Sequence, residues 1–121
     1  MKKRIFAAIM IAALVLSGCG ALKKPDNIHE VSYSIGQSAL EKYDEYKKGA
    51  LSKDEFGDEL DNLRDRLDDQ DFSDDTFYDV ANMIISSDIL NIAILLNAGT
   101  ASDVSDKVED LRHYLETGST K

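Results

Sequence analysis

The chain has 121 residues, with 23 acidic and 14 basic side chains, a net charge of −9 and a single cysteine. Nucleic-acid phosphates require a basic protein face, so an acid-rich chain of this kind predicts no nucleic-acid partner. With one cysteine no disulfide can form within the chain, and its core must be held by packing alone.

The first eighteen residues have the three-part layout of a secretory signal peptide. Met1 to Arg4 is a basic tip, Ile5 to Leu16 is a run without a polar side chain, and small residues follow at Ser17 and Gly18. As a helix the apolar run spans about 18 Å, short of a hydrocarbon core of about 30 Å. A permanent transmembrane anchor is therefore the weaker interpretation.

The residues at the end of this signal, Leu16-Ser17-Gly18-Cys19, resemble the lipobox of bacterial lipoproteins at all four positions. The resemblance implies cleavage before Cys19, a diacylglyceryl group on its thiol, and acyl chains such as palmitate. Two acyl chains hold a protein firmly at a bilayer. We expect a lipid anchor in the cell membrane, facing the extracytoplasmic side, or in the outer membrane if the host has two. A buried core cysteine, or an ordinary signal with a cysteine nearby, is the alternative.

Cleavage at this point would leave 103 residues with 11 basic and 23 acidic side chains, enough for one small domain. Lys23 and Lys24 could assist the lipid anchor, but the charge argues against a domain lying flat on anionic lipid. Residues 19–27 are predicted to be the lipidated N-terminus and a tether, 28–117 a helical domain and 118–121 a frayed end. Pro25 is the only proline, which favours an all-α fold.

The first helix is predicted from Ile28 to Lys48, with Gly49 as its stop. The second follows a capping box formed by Ser52 and Glu55. Each helix has one apolar stripe, made of Ile28, Val31, Ile35, Ala39, Tyr43 and Tyr46 in the first and of Phe56, Leu60, Leu63 and Leu67 in the second. Residues 40–67 resemble the short SHOCT helical hairpin, and the resemblance implies that these two helices are antiparallel neighbours.

The third helix is predicted to start after Phe72-Ser73, with Ser73 as N-cap and Phe72 stapled against Phe77, and to stop at Gly99. It is apolar nearly all round, which is typical of the centre of a bundle or of a membrane span, a partner-binding face or a dimer seam. The polar residues that interrupt it favour the bundle. A fourth helix from Ser102 to Glu116 carries Val104, Val108, Leu111 and Leu115 on one stripe. The expected architecture is a small four-helix bundle.

Twelve acidic residues lie between Asp54 and Asp79, and a calcium loop could be sought from Asp69 onward. The comparison fails because Asp74 occupies the position that needs glycine and Val80 the position that needs a bidentate glutamate. We therefore predict no specific metal site, and no cofactor. An envelope lipoprotein that binds cations or ligands through residues 54–79 remains the alternative function.

No catalytic motif is present, and the expectation is that the chain is not an enzyme. His29 and His113 lack the spacing of zinc ligands and are predicted to be surface residues. The preferred hypothesis is a lipid-anchored module that binds another envelope protein. The lipoproteins by which phages and plasmids exclude related DNA are similar to it in format. An exposed apolar patch made of surplus residues of the third helix would favour this hypothesis.

Overall fold

The computed structural model describes residues 24–121, which form four α-helices and no strand. The helices are α1 (Glu30–Lys47), α2 (Lys53–Asp68), α3 (Thr76–Ala98) and α4 (Ala101–Thr117). The predicted all-α, four-helix architecture is confirmed. Residues 1–23, which hold the predicted signal peptide and Cys19, lie outside the described part of the chain.

Two helices on one diagonal hold the bundle together. Helices α1 and α3 contact each other, and each also contacts both α2 and α4, whereas α2 and α4 occupy opposite corners and do not touch. The hairpin expectation for α1 and α2 is met at their turn, where the Phe56 ring stacks on Tyr46 with ring centroids 5.1 Å apart.

The helices begin and end at glycine and capping residues that can be recognised in the sequence. Gly49 has a φ of 83°, the left-handed conformation that ends α1 just after its C-cap. Ser52 and Glu55 form the predicted capping box, with hydrogen bonds of 3.1 and 2.8 Å. Helix α4 starts one residue earlier than predicted because Thr100 forms a second capping box with Asp103.

The predicted start of α3 is wrong in two respects. Its N-cap is Asp75, whose Oδ1 accepts a hydrogen bond from the Tyr78 backbone N–H, rather than Ser73. Ser73 instead donates its own backbone N–H to Asp71 in a turn before the helix. The staple also fails, because Phe72 packs against His29 and Tyr78 while Phe77 is 75% exposed. The shorter helix turns Phe77 outward.

The core is a continuous cluster of apolar side chains contributed by every helix. All four stripe residues of α2 are buried, as are five residues of α3 and five of α4. Ile28, just ahead of α1, is fully buried as well. The buried hydrophobic residues are Ile28, Ile35, Ala39, Tyr43, Phe56, Leu60, Leu63, Leu67, Ala81, Ile85, Ile89, Ile92, Leu96, Val104, Val108, Leu111, Tyr114 and Leu115.

One polar chain of hydrogen bonds crosses this core and fixes three helices relative to one another. The Ser32 hydroxyl, fully buried on α1, donates to Asn82 Oδ1 on α3 at 2.8 Å. Asn82 Nδ2 donates in turn to the Leu67 carbonyl at the end of α2, at 2.9 Å. Because both polar groups are satisfied, the network sets a register without leaving an unpaired buried atom.

Helices α1 and α4 approach closely where α1 carries a glycine. A Cβ atom placed on Gly36 would lie 2.8 Å from Leu115 Cδ2. Near the end of α4, Asn27 Nδ2 donates to the Gly118 carbonyl at 3.0 Å. The chain therefore enters the domain beside the point where it leaves α4.

Candidate functional site

The candidate site is the outer face of α3. Within residues 24–121 every large hydrophobic side chain with high exposure belongs to this one helix. The exposed fractions are 75% for Phe77, 46% for Val80, 62% for Met83, 36% for Leu90 and 50% for Ile94. We call these five residues the apolar stripe. At 1.5 Å per residue, the stripe runs for about 25 Å along the helix.

The stripe exists because α3 is apolar on two opposite sides. Its inner side, at spacings of three and four, is made of Ala81, Ile85, Ile89, Ile92 and Leu96, and all five are buried. The outer side keeps apolar residues at positions where α2 and α4 carry charges. Helix α3 is also long and apolar enough, by length and composition, to cross a membrane. In the bundle its inner side is packed, and its outer side is left in contact with solvent.

An acidic ridge runs beside the stripe on α2. Its members recur at spacings of four and three and are all exposed: Asp54, Asp58, Asp61, Asp65 and Asp68. The first three line an open groove with Lys53 and Gly57 of α2 and with Ala93 and Asn97 of α3. The α3 wall of this groove, Ala93 and Asn97, lies one helical turn from Leu90 and Ile94 of the stripe, so the ridge lies across the groove from that part of the stripe.

The other border of the stripe, toward α4, has mixed charge. Asp88 is half-buried, and burial raises the pKa of its carboxyl, helped by the nearby Asp110 and opposed by Lys107. Lys107 Nζ lies 3.1 Å from Asp110 Oδ2 in an ion pair along α4. Burial and the Asp88 charge together raise the pKa of Tyr114. This border thus carries one compensated cation, whereas the α2 border is a row of carboxylates.

Two of the acidic residues between α2 and α3, Asp71 and Asp75, accept hydrogen bonds from the backbone. Asp71 accepts the Ser73 backbone N–H at 3.1 Å. Hydrogen bonds from the Ser73 backbone and side chain lower the pKa of the Asp71 carboxyl. Asp75 caps α3. In residues 24–121 no group of three histidine or acidic side chains is arranged so that it could hold a metal ion. Residues 54–79 therefore carry a dense negative charge.

The two histidines lie at places that the sequence did not distinguish. His29 is the N-cap of α1, and its Nδ1 accepts the Val31 backbone N–H at 3.1 Å. Its ring sits between Phe72 and Tyr78, with centroids 5.0 and 5.1 Å away. His113 contacts the Lys121 carbonyl near the C-terminus. The aromatic residues at positions 72 and 78 were the available signal for His29, but only their convergence in space reveals its role.

A small cleft lies at the opposite end of the bundle, between α1, the end of α3 and the start of α4. Tyr43, Tyr46, Lys47, Leu95 and Val104 are among its lining residues, and its volume is about 100 Å³. Small-molecule sites are usually about 300–1,000 Å³. The cleft is too small for such a ligand, which leaves the apolar stripe as the strongest candidate surface.

Comparison of the chain with protein-family models, with curated proteins and with solved structures finds no match.

Proposed function

We propose that this protein is a bacterial lipoprotein, held by a diacylglyceryl lipid on Cys19 at the extracytoplasmic side of the cell membrane, whose acidic helical domain binds another envelope protein. The observation that carries the binding part is the apolar stripe. Single exposed hydrophobic residues are ordinary on a protein surface, but five on the outer face of one helix, interrupted there by the exposed Ser87, favour a surface that meets a partner.

The short tether after Cys19 would limit how far the helical domain lies from the membrane. The chain from Cys19 to Lys24 can reach no more than about 18 Å when fully extended. The end of the bundle where α1 begins would then stay near the bilayer. The turn between α2 and α3, with Asp71 and Asp75, lies at the same end because Phe72 packs on His29. Anionic lipid would repel this turn, so the bundle would stand away from the surface and present α3 sideways to other proteins.

A narrower form of the proposal assigns the protein to the lipoproteins with which phages and plasmids exclude related DNA. This form is supported only by a shared general organisation, namely a lipobox at Cys19, a small acidic helical domain and an exposed apolar face. The partner in that case would be an envelope protein used for DNA entry.

The anchor is tested by feeding cells an alkyne analogue of palmitate and comparing the wild type with Cys19→Ser. Label on the wild type alone, together with loss of the variant from the membrane fraction, is the expected result. Label on neither protein would remove the lipid anchor from the proposal and leave the binding part to be judged separately.

The binding part is tested by chemical crosslinking in intact cells followed by mass spectrometry. The stripe variant Leu90→Ser/Ile94→Ser is compared with Ser34→Ala/Asp106→Asn, a control at exposed positions of α1 and α4. One dominant protein partner, captured by wild type and control and lost with the stripe variant, is expected. A partner captured equally by all three proteins would show that the stripe is not the binding surface.

A further inference from the structure

The apolar stripe and the acidic ridge form one composite surface. The hydrogen bond from Asn82 to the Leu67 carbonyl joins α2 and α3 at one end, and the groove lined by Ala93 and Asn97 lies between the same two helices at the other. Because α2 and α3 are antiparallel neighbours, the ridge follows the stripe along most of its length. A ligand lying on the stripe would meet apolar side chains beneath it and carboxylates along one edge.

Among residues 24–121 the carboxylates of the ridge have no basic side chain within ion-pair distance. Within the described residues, close ion pairs join Lys42 to Glu45 on α1, and Lys107 to Asp110 and Arg112 to Glu109 on α4. None involves a member of the ridge. The basic residues of α2 are Lys53, Arg64 and Arg66, and the buried Arg64 Nε makes no hydrogen bond within residues 24–121. Five aspartates therefore remain available to a cationic ligand.

We propose that the partner segment is an amphipathic helix with an apolar face and with lysine or arginine along one edge. This inference rests on the proposed function and specifies the chemistry of the partner. A stripe of about 25 Å matches a helix of about 17 residues. A ridge of side chains next to a groove is the surface on which a second helix packs. The apolar face of the partner covers the stripe, and its basic edge faces the ridge.

A second copy of this chain fits the surface poorly. If two α3 helices pack antiparallel about a twofold axis, the ridge of one copy faces the ridge of the other. If they pack parallel, the ridge faces the border formed by α4, where Asp88 and Asp110 outnumber Lys107. Like charges placed opposite each other oppose association. The same charges oppose docking of the stripe on anionic lipid.

The test uses the full chain in nanodiscs of zwitterionic lipid and three designed peptides of about 20 residues. The first has a leucine seam flanked by lysines, the second has glutamates in place of the lysines, and the third is a scrambled form of the first without a seam. Binding is followed by fluorescence anisotropy, with empty nanodiscs as the blank. We expect the first peptide to bind saturably, and the second and third to bind at least about tenfold more weakly.

Two variants assign the binding to the composite surface. Leu90→Ser/Ile94→Ser should weaken the first peptide by about tenfold or more. Asp58→Asn/Asp61→Asn/Asp65→Asn should weaken it by about tenfold at low salt and reduce the preference for lysine over glutamate. The matched control Asp44→Asn/Asp106→Asn/Glu116→Gln removes the same charge from exposed positions on α1 and α4, and it should change the affinity by less than about twofold.

Several outcomes would overturn the inference. If the scrambled peptide binds as tightly as the first peptide, only charge is recognised. If the glutamate peptide binds as tightly, the acidic ridge does not contribute to recognition. A wild-type dimer that Leu90→Ser/Ile94→Ser abolishes would assign the stripe to a second copy. If the cellular crosslinking captures a protein through the stripe while the lysine peptide fails to bind, the proposed function stands and this inference falls.

Discussion

Helices α2 and α3 lie side by side in the bundle and treat their outer faces in opposite ways. Helix α2 buries its four large apolar residues and surrounds them with charge. Helix α3 buries five apolar residues and exposes five more, with no basic residue in its last turn. The core needs of the bundle account for the whole apolar content of α2 but for only one side of α3. Because the outer side of α3 is exposed, we expect it to contribute little to folding, and its apolar residues favour a functional explanation.

The sharpest check of this comparison is a matched pair of substitutions within α3. Ile92 is 1% exposed and Ile94 is 50% exposed, two residues further along the same helix. Ile92→Ala should lower the free energy of unfolding by about 2–5 kcal/mol, because it leaves a cavity in the core. Ile94→Ala should change it by no more than about 1 kcal/mol. Urea denaturation measures both, and similar large losses would mean that the outer face is packed against something.

The hydrogen-bond network that joins α1, α2 and α3 should give the next largest effect on stability. Ser32→Ala removes the donor to Asn82 Oδ1 and leaves that oxygen without its partner at a half-buried position. The expected loss of stability is about 1–3 kcal/mol. Ser34→Ala, at an exposed position of the same helix, is the control and should be nearly neutral. A neutral Ser32→Ala would indicate that the hydrogen bond between α1 and α3 contributes little to the stability of the bundle.

A smaller effect is expected at Asp88, where α3 faces α4. Because burial raises the pKa of this carboxyl, the folded state holds its proton more tightly than the unfolded chain does. Ionisation of Asp88 therefore lowers stability as pH rises above the ordinary carboxyl pKa, and the penalty is absent well below that pKa. Asp88→Asn should raise Tm at pH 7, and the gain should shrink in acid. A gain that is independent of pH would show that the charge of Asp88 is not the cause.

The smallest effect concerns cations on the acidic ridge and the turn that follows it. Millimolar calcium should shift Tm only slightly, and magnesium should match it, because the carboxylates do not converge on one point. Thermal melts followed by circular dichroism test this. A saturable shift specific to calcium, lost in Asp71→Asn, would favour the cation-binding alternative and weaken the contrast between the two helices.

Much of the fold could be predicted because its signals are local. Three such signals are found as expected: the stop at Gly49, the capping box at Ser52 and the buried apolar residues of α2. Each depends on residues only a few positions apart. The start of α3 was missed because Ser73, Asp74 and Asp75 are all good caps, and the choice depends on how Phe72 packs against His29. That contact joins residues far apart in the chain, which sequence spacing does not show.

The candidate site was predictable only in part. The apolar excess of the third helix is visible in the sequence, but which of its residues remain exposed depends on where the other three helices pack. The acidic ridge likewise appears as part of a long acidic segment until α2 is placed beside α3. The predicted lipidation of Cys19 depends entirely on the lipobox motif, since Cys19 lies outside the described residues.

The most direct test of the account is a photo-crosslinking scan in intact cells. A photoreactive amino acid is placed in turn at Met83, Leu90 and Ile94 on the outer face of α3, and at Ser34 and Asp106 on α1 and α4. The account predicts that one protein is captured from the three α3 positions and from neither control, through a peptide whose sequence reads as a basic-edged amphipathic helix. Capture from the control positions alone, or of lipid alone from α3, would contradict it.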